Sequence, residues 1–574
     1  MIKKFYHLAL LVLGMQTAFS QSVTEKPVTI CNPLNLNYRF CLDAPSRREA
    51  ADPVIVIFKD EYYLFASKSG GYWHSTNLAD WDFITSHDLP FEDYAPAAVV
   101  MDDAIYFVAS TQAAPSSKIF KSADPKSGRW KIVNEAFPIP LTDPDLFLDD
   151  SGKLYLYYGC SNVKPIYGVE LDRKTLMPIG ESVACFNENM AQNGWERPGD
   201  TNKSKDKPWT EGSWMTKFKS KYYLQYSTPG TEYRSYCDGV YVADSPLGPF
   251  KLMENNPFSY RPGGFSTAAG HSATFQDKYG NYWHITTTTI SVKHNFERRL
   301  SIYPVFFNDE ERIYTYTGFG DYPMIIPQKK ANAEKDFFAG WMLLSYKKPV
   351  TASSSLKNHA TALASDEDIR TYWSAKTGNK GEWLSMDLQK AETISAVQLN
   401  FAENDTKIFG REANLYYQYT IEYSLDGKNW KMLADKSANT ADAPHDYIVL
   451  DKPIKARYLK ITNLRTPSGT FAVSDLRVFG KGDGKAPVKV SDLKIVRNQS
   501  DKCSVELNWK ADSKATGYNI RYGRKPDQLY LNYQVYGTNE LEINSLSNQG
   551  SYYFTVDSFN ENGITKGTDI KQID

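Results

Sequence analysis

One theme recurs five times between about residues 48 and 325, and it restricts the fold more than any other feature of this chain. A turn carrying Asp, Gly or Lys leads into an aromatic strand, and a second strand often follows with a short polar hairpin. The cores are Tyr62-Tyr63-Leu64-Phe65, Ile105-Tyr106-Phe107-Val108, Leu154-Tyr155-Leu156-Tyr157, Tyr222-Tyr223-Leu224-Gln225 and Tyr282-Trp283-His284-Ile285. Later strands in the first, second and fourth units end on Asp80-Trp81, Arg129-Trp130 and Pro249-Phe250. Helical periodicity is scarce. Repeated strand-turn units argue for small sheets set radially around an axis, which shields strand edges without closing one large barrel. The expectation is an all-β chain in which residues 21–330 form a five-bladed β-propeller. Aromatic residues make up 14% of the sequence, with 39 tyrosines, and such side chains suit pleated surfaces and the flat faces of sugars.

At 574 residues the chain is too long for one core, so further domains are expected. The formal net charge is −1 with acids and bases mixed; no basic stripe offers itself to a nucleic acid. Lys3 and Lys4, the apolar run Leu8 to Leu13 and the small residues of Ala18-Phe19-Ser20 read as a signal peptide over 1–20. A buried N-terminal helix is the competing reading. The chain is expected to be exported, to the periplasm or beyond, without a membrane span. None of the six cysteines shows C-x-x-C spacing, which argues against structural zinc; Cys31 and Cys41 are the nearest candidates for a disulfide.

Beyond residue 330 the text changes. Residues 345–480 contain Asp366-Glu367-Asp368-Ile369-Arg370-Thr371-Tyr372-Trp373, Trp383-Leu384-Ser385-Met386-Asp387-Leu388 and Arg457-Tyr458-Leu459-Lys460-Ile461. This stretch resembles the discoidin, or coagulation factor 5/8 type C, sandwich, which implies a carbohydrate-binding module. Lys481 to Pro487 looks like a linker. Residues 487–574, with Trp509, Gly517-Tyr518-Asn519-Ile520-Arg521-Tyr522 and Tyr552-Tyr553-Phe554-Thr555-Val556, resemble a fibronectin type III sandwich and read as a spacer.

Cleaving a glycosidic bond needs one carboxylic acid to protonate the leaving oxygen and a second carboxylate to attack carbon or activate water. In a propeller such groups belong where the inner strands converge. Three acids open repeat units in apolar surroundings: Asp52 in Ala51-Asp52-Pro53-Val54, Asp143 in Thr142-Asp143-Pro144-Asp145 and Glu211 in Trp209-Thr210-Glu211-Gly212. Each alone reads as a turn residue; three in phase point to one shared end of the axis.

These motifs resemble glycoside hydrolase family 43 over about residues 48–325. The resemblance implies that Asp52 is the general base, Glu211 the general acid and Asp143 the residue that tunes and orients the acid. It also implies inversion of configuration, with base and acid roughly 6.5–9.5 Å apart to admit water. His271, in Gly270-His271-Ser272, matches an axial His that in many members helps hold a hydrated calcium ion; a buried imidazole bonded to backbone is the alternative. No other cofactor is implied. Arg298 matches a pocket arginine, with Arg299 as its competitor because strand alternation turns one of the pair inward. Trp73 and Trp209 are candidate sugar platforms or core residues. Tyr94-Ala95-Pro96-Ala97 and Ser213 depart from the family pattern.

The resulting expectation is an inverting exo-glycosidase acting on a polysaccharide or oligosaccharide, with α-L-arabinofuranosides first. β-Xylosides, galactans and galactofuranosides are the alternatives within the family. A non-catalytic glycan-binding protein is the alternative of another class. A retaining, fructan-cleaving propeller is disfavoured because Ala51-Asp52-Pro53-Val54 lacks the Asn-Asp-Pro-Asn signature of that group.

Overall fold

The computed structural model describes residues 27–90, 93–110 and 117–574, so the candidate export segment 1–20 lies outside the described residues. Five four-stranded antiparallel sheets, each built from consecutive strands, form the blades. Their innermost strands are Val54–Phe58, Tyr94–Met101, Asp145–Leu148, Glu211–Phe218 and Gly270–Gln276. The aromatic cores singled out above form the second strand of each blade, as in Glu61–Phe65 and Tyr282–Thr289. Both faces of these strands are covered by neighbouring blades, which is why their hydrophobic runs are continuous and do not alternate. The ring is tied shut by the chain's beginning: Thr29 pairs with Ile325 and Ile30 with Met324, and the Asn32 side chain bonds the backbone of Ile302 and Gly320.

Residues 342–481 form an eight-stranded β-sandwich in which the long strands Trp383–Phe401 and His445–Arg465 bend from one layer into the other. Trp373, Phe401, Tyr417 and Phe471 lie in its core, with Phe401 stacked on Tyr417 at 3.7 Å. Residues 494–573 form a three-stranded and a five-stranded sheet. Trp509, Tyr518, Tyr522 and Phe554 between them share one hydrophobic cluster with Trp195, Cys237 and Tyr260 of the propeller. Gly194 permits this approach: a Cβ there would stand 2.2 Å from the Asn544 carbonyl oxygen. The last module is therefore packed against blade four, where a tethered spacer was expected. The presumed linker is docked as well, since Gly482 N–H bonds the Glu561 carbonyl at 2.8 Å and Gly484 N–H bonds Asn562 Oδ1 at 2.7 Å.

Two further expectations are corrected. All six cysteines are free thiols. Cys31 donates to the Asp321 carbonyl and to Gln398 Oε1, whereas Cys41 donates to Glu49 Oε2, so different polar partners hold the two apart. Trp73 is fully buried, its indole N–H bonded to Asn37 Oδ1 at 2.7 Å and its ring edge-on to Phe83. It is a core residue of blade one and offers no face to a sugar. Among the described residues, no helix is long and apolar enough to cross a membrane.

Candidate active site

Each inner strand is preceded or opened by a bend residue with positive φ: Asp52 (54°), Ala95 (46°), Asp143 (47°), Gly212 (59°) and His271 (41°). Two residues after each bend stands a regular cross-strand pair: Val54 with Phe65, Ala97 with Val108, Asp145 with Tyr157, Trp214 with Gln225 and Ala273 with Ile285. The five bends are thus equivalent positions around one axis. Left-handed backbone at a non-glycine residue costs on the order of 1–3 kcal/mol and persists where the surroundings enforce it. Here the surroundings are hydroxyls at or just beyond the end of the second strand of the preceding blade. Asp52 N–H bonds Thr287 Oγ1 at 2.9 Å, Ala95 bonds Ser67 Oγ at 2.7 Å, Asp143 bonds Ser110 Oγ at 2.8 Å and His271 bonds Ser227 Oγ at 2.7 Å.

The fourth junction breaks the rule. The residue equivalent to those hydroxyls is Gly159, two beyond Tyr157, and the Gly212 amide turns instead to Asp143 Oδ2 at 3.3 Å. The gap draws the Asp143 carboxylate toward the blade that carries Glu211. Asp52 and Asp143 occupy equivalent bends, whereas Glu211 sits one residue ahead of its own bend, a bulge offset that the repeat phase alone could not show. Gly212 must be glycine for reasons of space as well as φ: a Cβ would lie 2.9 Å from His271 Cγ.

The two outer acids are shifted in opposite directions. Burial disfavours an ionised Asp52, but the Arg298 guanidinium and the His271 imidazole, both 3.2 Å from Oδ1, outweigh it. The Ser67 hydroxyl adds a hydrogen bond to Oδ2 at 2.5 Å. Asp52 is therefore held below the ordinary carboxylate range and is ionised. Glu211 is pushed up to about 7 by burial and by the charge of Asp143. Its Oε1 accepts from the Tyr236 hydroxyl at 2.5 Å and its Oε2 from the Cys160 thiol at 3.2 Å. Burial also raises Asp143 itself. For His271, burial opposes the imidazolium, but Asp52, Asp143 and Glu211 around it prevail and raise its pKa. Pairs of acids whose environments push them apart mark an acid and a base.

Arg298 is the inward member of its pair, bonded to Asp52, to Glu49 Oε1 at 2.5 Å and to Thr231 Oγ1 at 3.2 Å. Arg299 turns away to His445 and the Arg48 carbonyl. Trp209, two residues before Glu211, is 44% exposed. Cys160, Tyr236, Ser67 and Glu49 escaped the sequence reading. An alignment of the ends of the second strands would have found Ser67 and the other hydroxyls; nothing local marks Tyr236.

Among the described residues, the acid and thiol groups close enough to share an ion are Asp143, Cys160 and Glu211, with ligand atoms within 4.8 Å of one another. Burial and the adjacent acids drive the Cys160 thiol far above its ordinary value, so it is a neutral donor. Calcium takes about six to eight oxygens, and His271 already turns Nδ1 toward Asp52 and Asp143. These side chains do not fit a calcium ion ligated directly by the protein.

The propeller axis thus gathers one carboxyl held low and one held high, the kind of pair that acid/base cleavage of a glycosidic bond requires. Residues 46–312 match the model of glycosyl hydrolases family 43, and residues 349–474 match that of the F5/8 type C domain. The first match falls on the propeller and the second on the eight-stranded sandwich that follows it. The chain is similar to a β-xylosidase of Xylanibacter ruminicola, 31% identical over 160 residues, 24% of this chain and 44% of that protein. A xylosidase/arabinosidase of Bacteroides ovatus is 28% identical over 164 residues, 24% of this chain and 43% of the other. The chain spans less than half the length of these curated relatives. Among solved structures, the Bacteroides ovatus protein described as xyloglucan PUL GH43B is 15% identical, with 79% of this chain and 98% of that one covered and a TM-score of 0.41.

Proposed function

We propose that this protein is an inverting exo-glycosidase that releases terminal sugars from polysaccharides or oligosaccharides, with α-L-arabinofuranosides as its first substrates. The observation that carries this reading is the opposed state of Asp52 and Glu211 around His271. In the reaction, Asp52 removes a proton from a water molecule as it attacks the anomeric carbon. Glu211 gives its proton to the departing glycosidic oxygen, and Asp143 keeps that proton in place up to neutral pH. One displacement inverts the anomeric centre. Tyr236 and Cys160 hold the acid, while Arg298 and Ser67 hold the base. No step runs through a metal.

The names of the relatives favour a second substrate reading, β-xylosides, and a β-D-galactofuranosidase of Aspergillus niger is 25% identical over 146 residues. A screen of aryl glycosides and plant oligosaccharides distinguishes these by the monosaccharide released, and NMR of the first-formed anomer tests inversion. Binding without any product would favour the non-catalytic reading. We also read residues 487–574 as fibronectin type III-like and the chain as exported; recovery in the cytoplasmic fraction of the native host would refute export.

The pH profile follows from the charge states. Activity requires Asp52 ionised and Glu211 protonated. The acid limb of kcat/KM lies below the ordinary carboxylate range, and activity falls as pH rises through about 7. Asp143→Asn removes a charge that raises Glu211, so its alkaline limb is expected at lower pH. A pH–rate profile with that limb unmoved would remove Asp143 from the tuning of the acid.

A further inference from the structure

Two dipeptides straddle the boundary between the propeller and the F5/8 type C module: Arg48-Glu49, before the first blade, and Arg298-Arg299, at the start of a strand in the fifth. Each turns one side chain into the module and the other toward the axis, as alternation along an extended backbone dictates. On the module side, Arg48 is fully buried and bonds Glu403 through Nε and Asp442 through both Nη atoms, at 2.6 and 2.8 Å. Arg299 donates to His445 Nε2 at 3.1 Å and lies 3.9 Å from Glu403. Burial and the two arginines hold His445 neutral, so its Nε2 accepts from Arg299 while Nδ1–H donates to Asn400 Oδ1 at 2.8 Å. On the axis side, Glu49 accepts from Arg298 at 2.5 Å and Arg298 reaches Asp52 at 3.2 Å. The two dipeptides also bond each other, through Arg299 Nη1 and the Arg48 carbonyl at 2.9 Å.

The module takes a second grip on the acid side. Asp368 pairs with Arg234 at 2.8 Å, and Arg370 pairs with Asp200 at 2.8 Å and bonds the Glu232 carbonyl at 3.2 Å. The segment so held carries Thr231, which touches Arg298, and Tyr236, which touches Glu211. Taking ions such as Arg48, Arg299 and Glu403 out of water costs several kcal/mol each unless their geometry is well satisfied. A module that only tethers a catalytic domain to a glycan has no need of such a cluster.

We infer that the F5/8 type C module is a working part of the acid/base site, in which Glu403, Asp442 and His445 are positioning residues that lock Arg48-Glu49 and Arg298-Arg299 so that Arg298 and Glu49 clamp Asp52. The inference rests on the reading of Asp52 as the base. Its test uses the full chain with Glu403→Gln and Asp442→Asn, and with Asp387→Asn as a control. Asp387 pairs with Arg457 elsewhere on the module and touches neither dipeptide. Glu403→Gln is expected to lower kcat at least tenfold per folded molecule on the aryl glycoside that the wild type cleaves. KM stays within about twofold, and a crystal structure shows Arg298 drawn off Asp52. A merely structural role would lower the melting midpoint and leave kcat of the folded molecules alone. Should Glu403→Gln fail to fold, Asp442→Asn decides, because Asp442 is partly exposed and keeps an acceptor oxygen after substitution. Folded Glu403→Gln or Asp442→Asn with kcat within twofold of wild type and Arg298 still on Asp52 would overturn the inference. A wild type that cleaves nothing would instead count against the proposed hydrolysis, and the position of Arg298 in the variant crystals would then decide the clamp by itself.

Discussion

Asp52→Asn and Glu211→Gln are each expected to lower kcat by about a hundredfold to ten-thousandfold, the range that a positioned general base or acid supplies, with the fold retained. The two losses differ in kind. Asn at 52 keeps a hydrogen-bonding partner for Ser67 but cannot accept a proton from water, and it leaves Arg298 and His271 facing a neutral group. Gln at 211 keeps one acceptor oxygen, enough for Tyr236 or Cys160 but not for both, and has no acidic proton to give a leaving oxygen. An aryl glycoside with a good leaving group therefore restores much of the activity of Glu211→Gln and little of that of Asp52→Asn. Circular dichroism on each variant verifies folding; near-wild-type turnover by either folded variant would refute its assigned role.

The second large effect concerns stability. Arg477 is wholly buried where the modules meet, paired bidentately with Glu367 at 2.9 Å and bonded to the Asp321 carbonyl at 2.6 Å and to Gln398 at 3.1 Å. Its guanidinium lies 4.5 Å from the centre of the Phe265 ring and 4.9 Å from that of Phe479. Asp321 in turn holds Arg261 at 2.5 Å, and Arg261 reaches Gln534 of the last module. Arg477→Met strands Glu367, which must then stay as an unpaired buried charge or take up a proton. Breaking a buried pair in this way costs about 3–5 kcal/mol. Arg477→Lys recovers only part of that, since an ammonium cannot match a carboxylate at two points. Scanning calorimetry should show a midpoint lower by several degrees for the Met variant and an intermediate value for Lys. An unchanged midpoint would exclude this junction as a stabilising element.

The extent of legibility in the sequence differs from residue to residue. Asp52 and Asp143 could be found because they occupy the same position in a repeat, and a repeat is visible without knowing what packs on it. Glu211 was found by its motif, although its backbone position is offset by one. Trp73 misled for a definable reason: in the strand Gly71–Ser75 both Tyr72 and Trp73 are fully buried, so alternation gives no hint of which indole faces a ligand. The pairing of Cys31 with Cys41 misled because closeness in sequence says nothing about side chains claimed by partners such as Gln398, several hundred residues away.

What the sequence determined by itself was the count of blades, the β character of the rest and which three acids open repeat units. These follow from strand periodicity and residue type, which are local. Only the tertiary structure decided which carboxyl is held low and which is raised, that Arg298 and not Arg299 faces the axis, and that the following modules are packed onto the propeller. Those outcomes depend on desolvation and on charges brought together from positions such as Arg48 and Glu403, and electrostatic energy is set by distance in space, which a linear pattern does not encode.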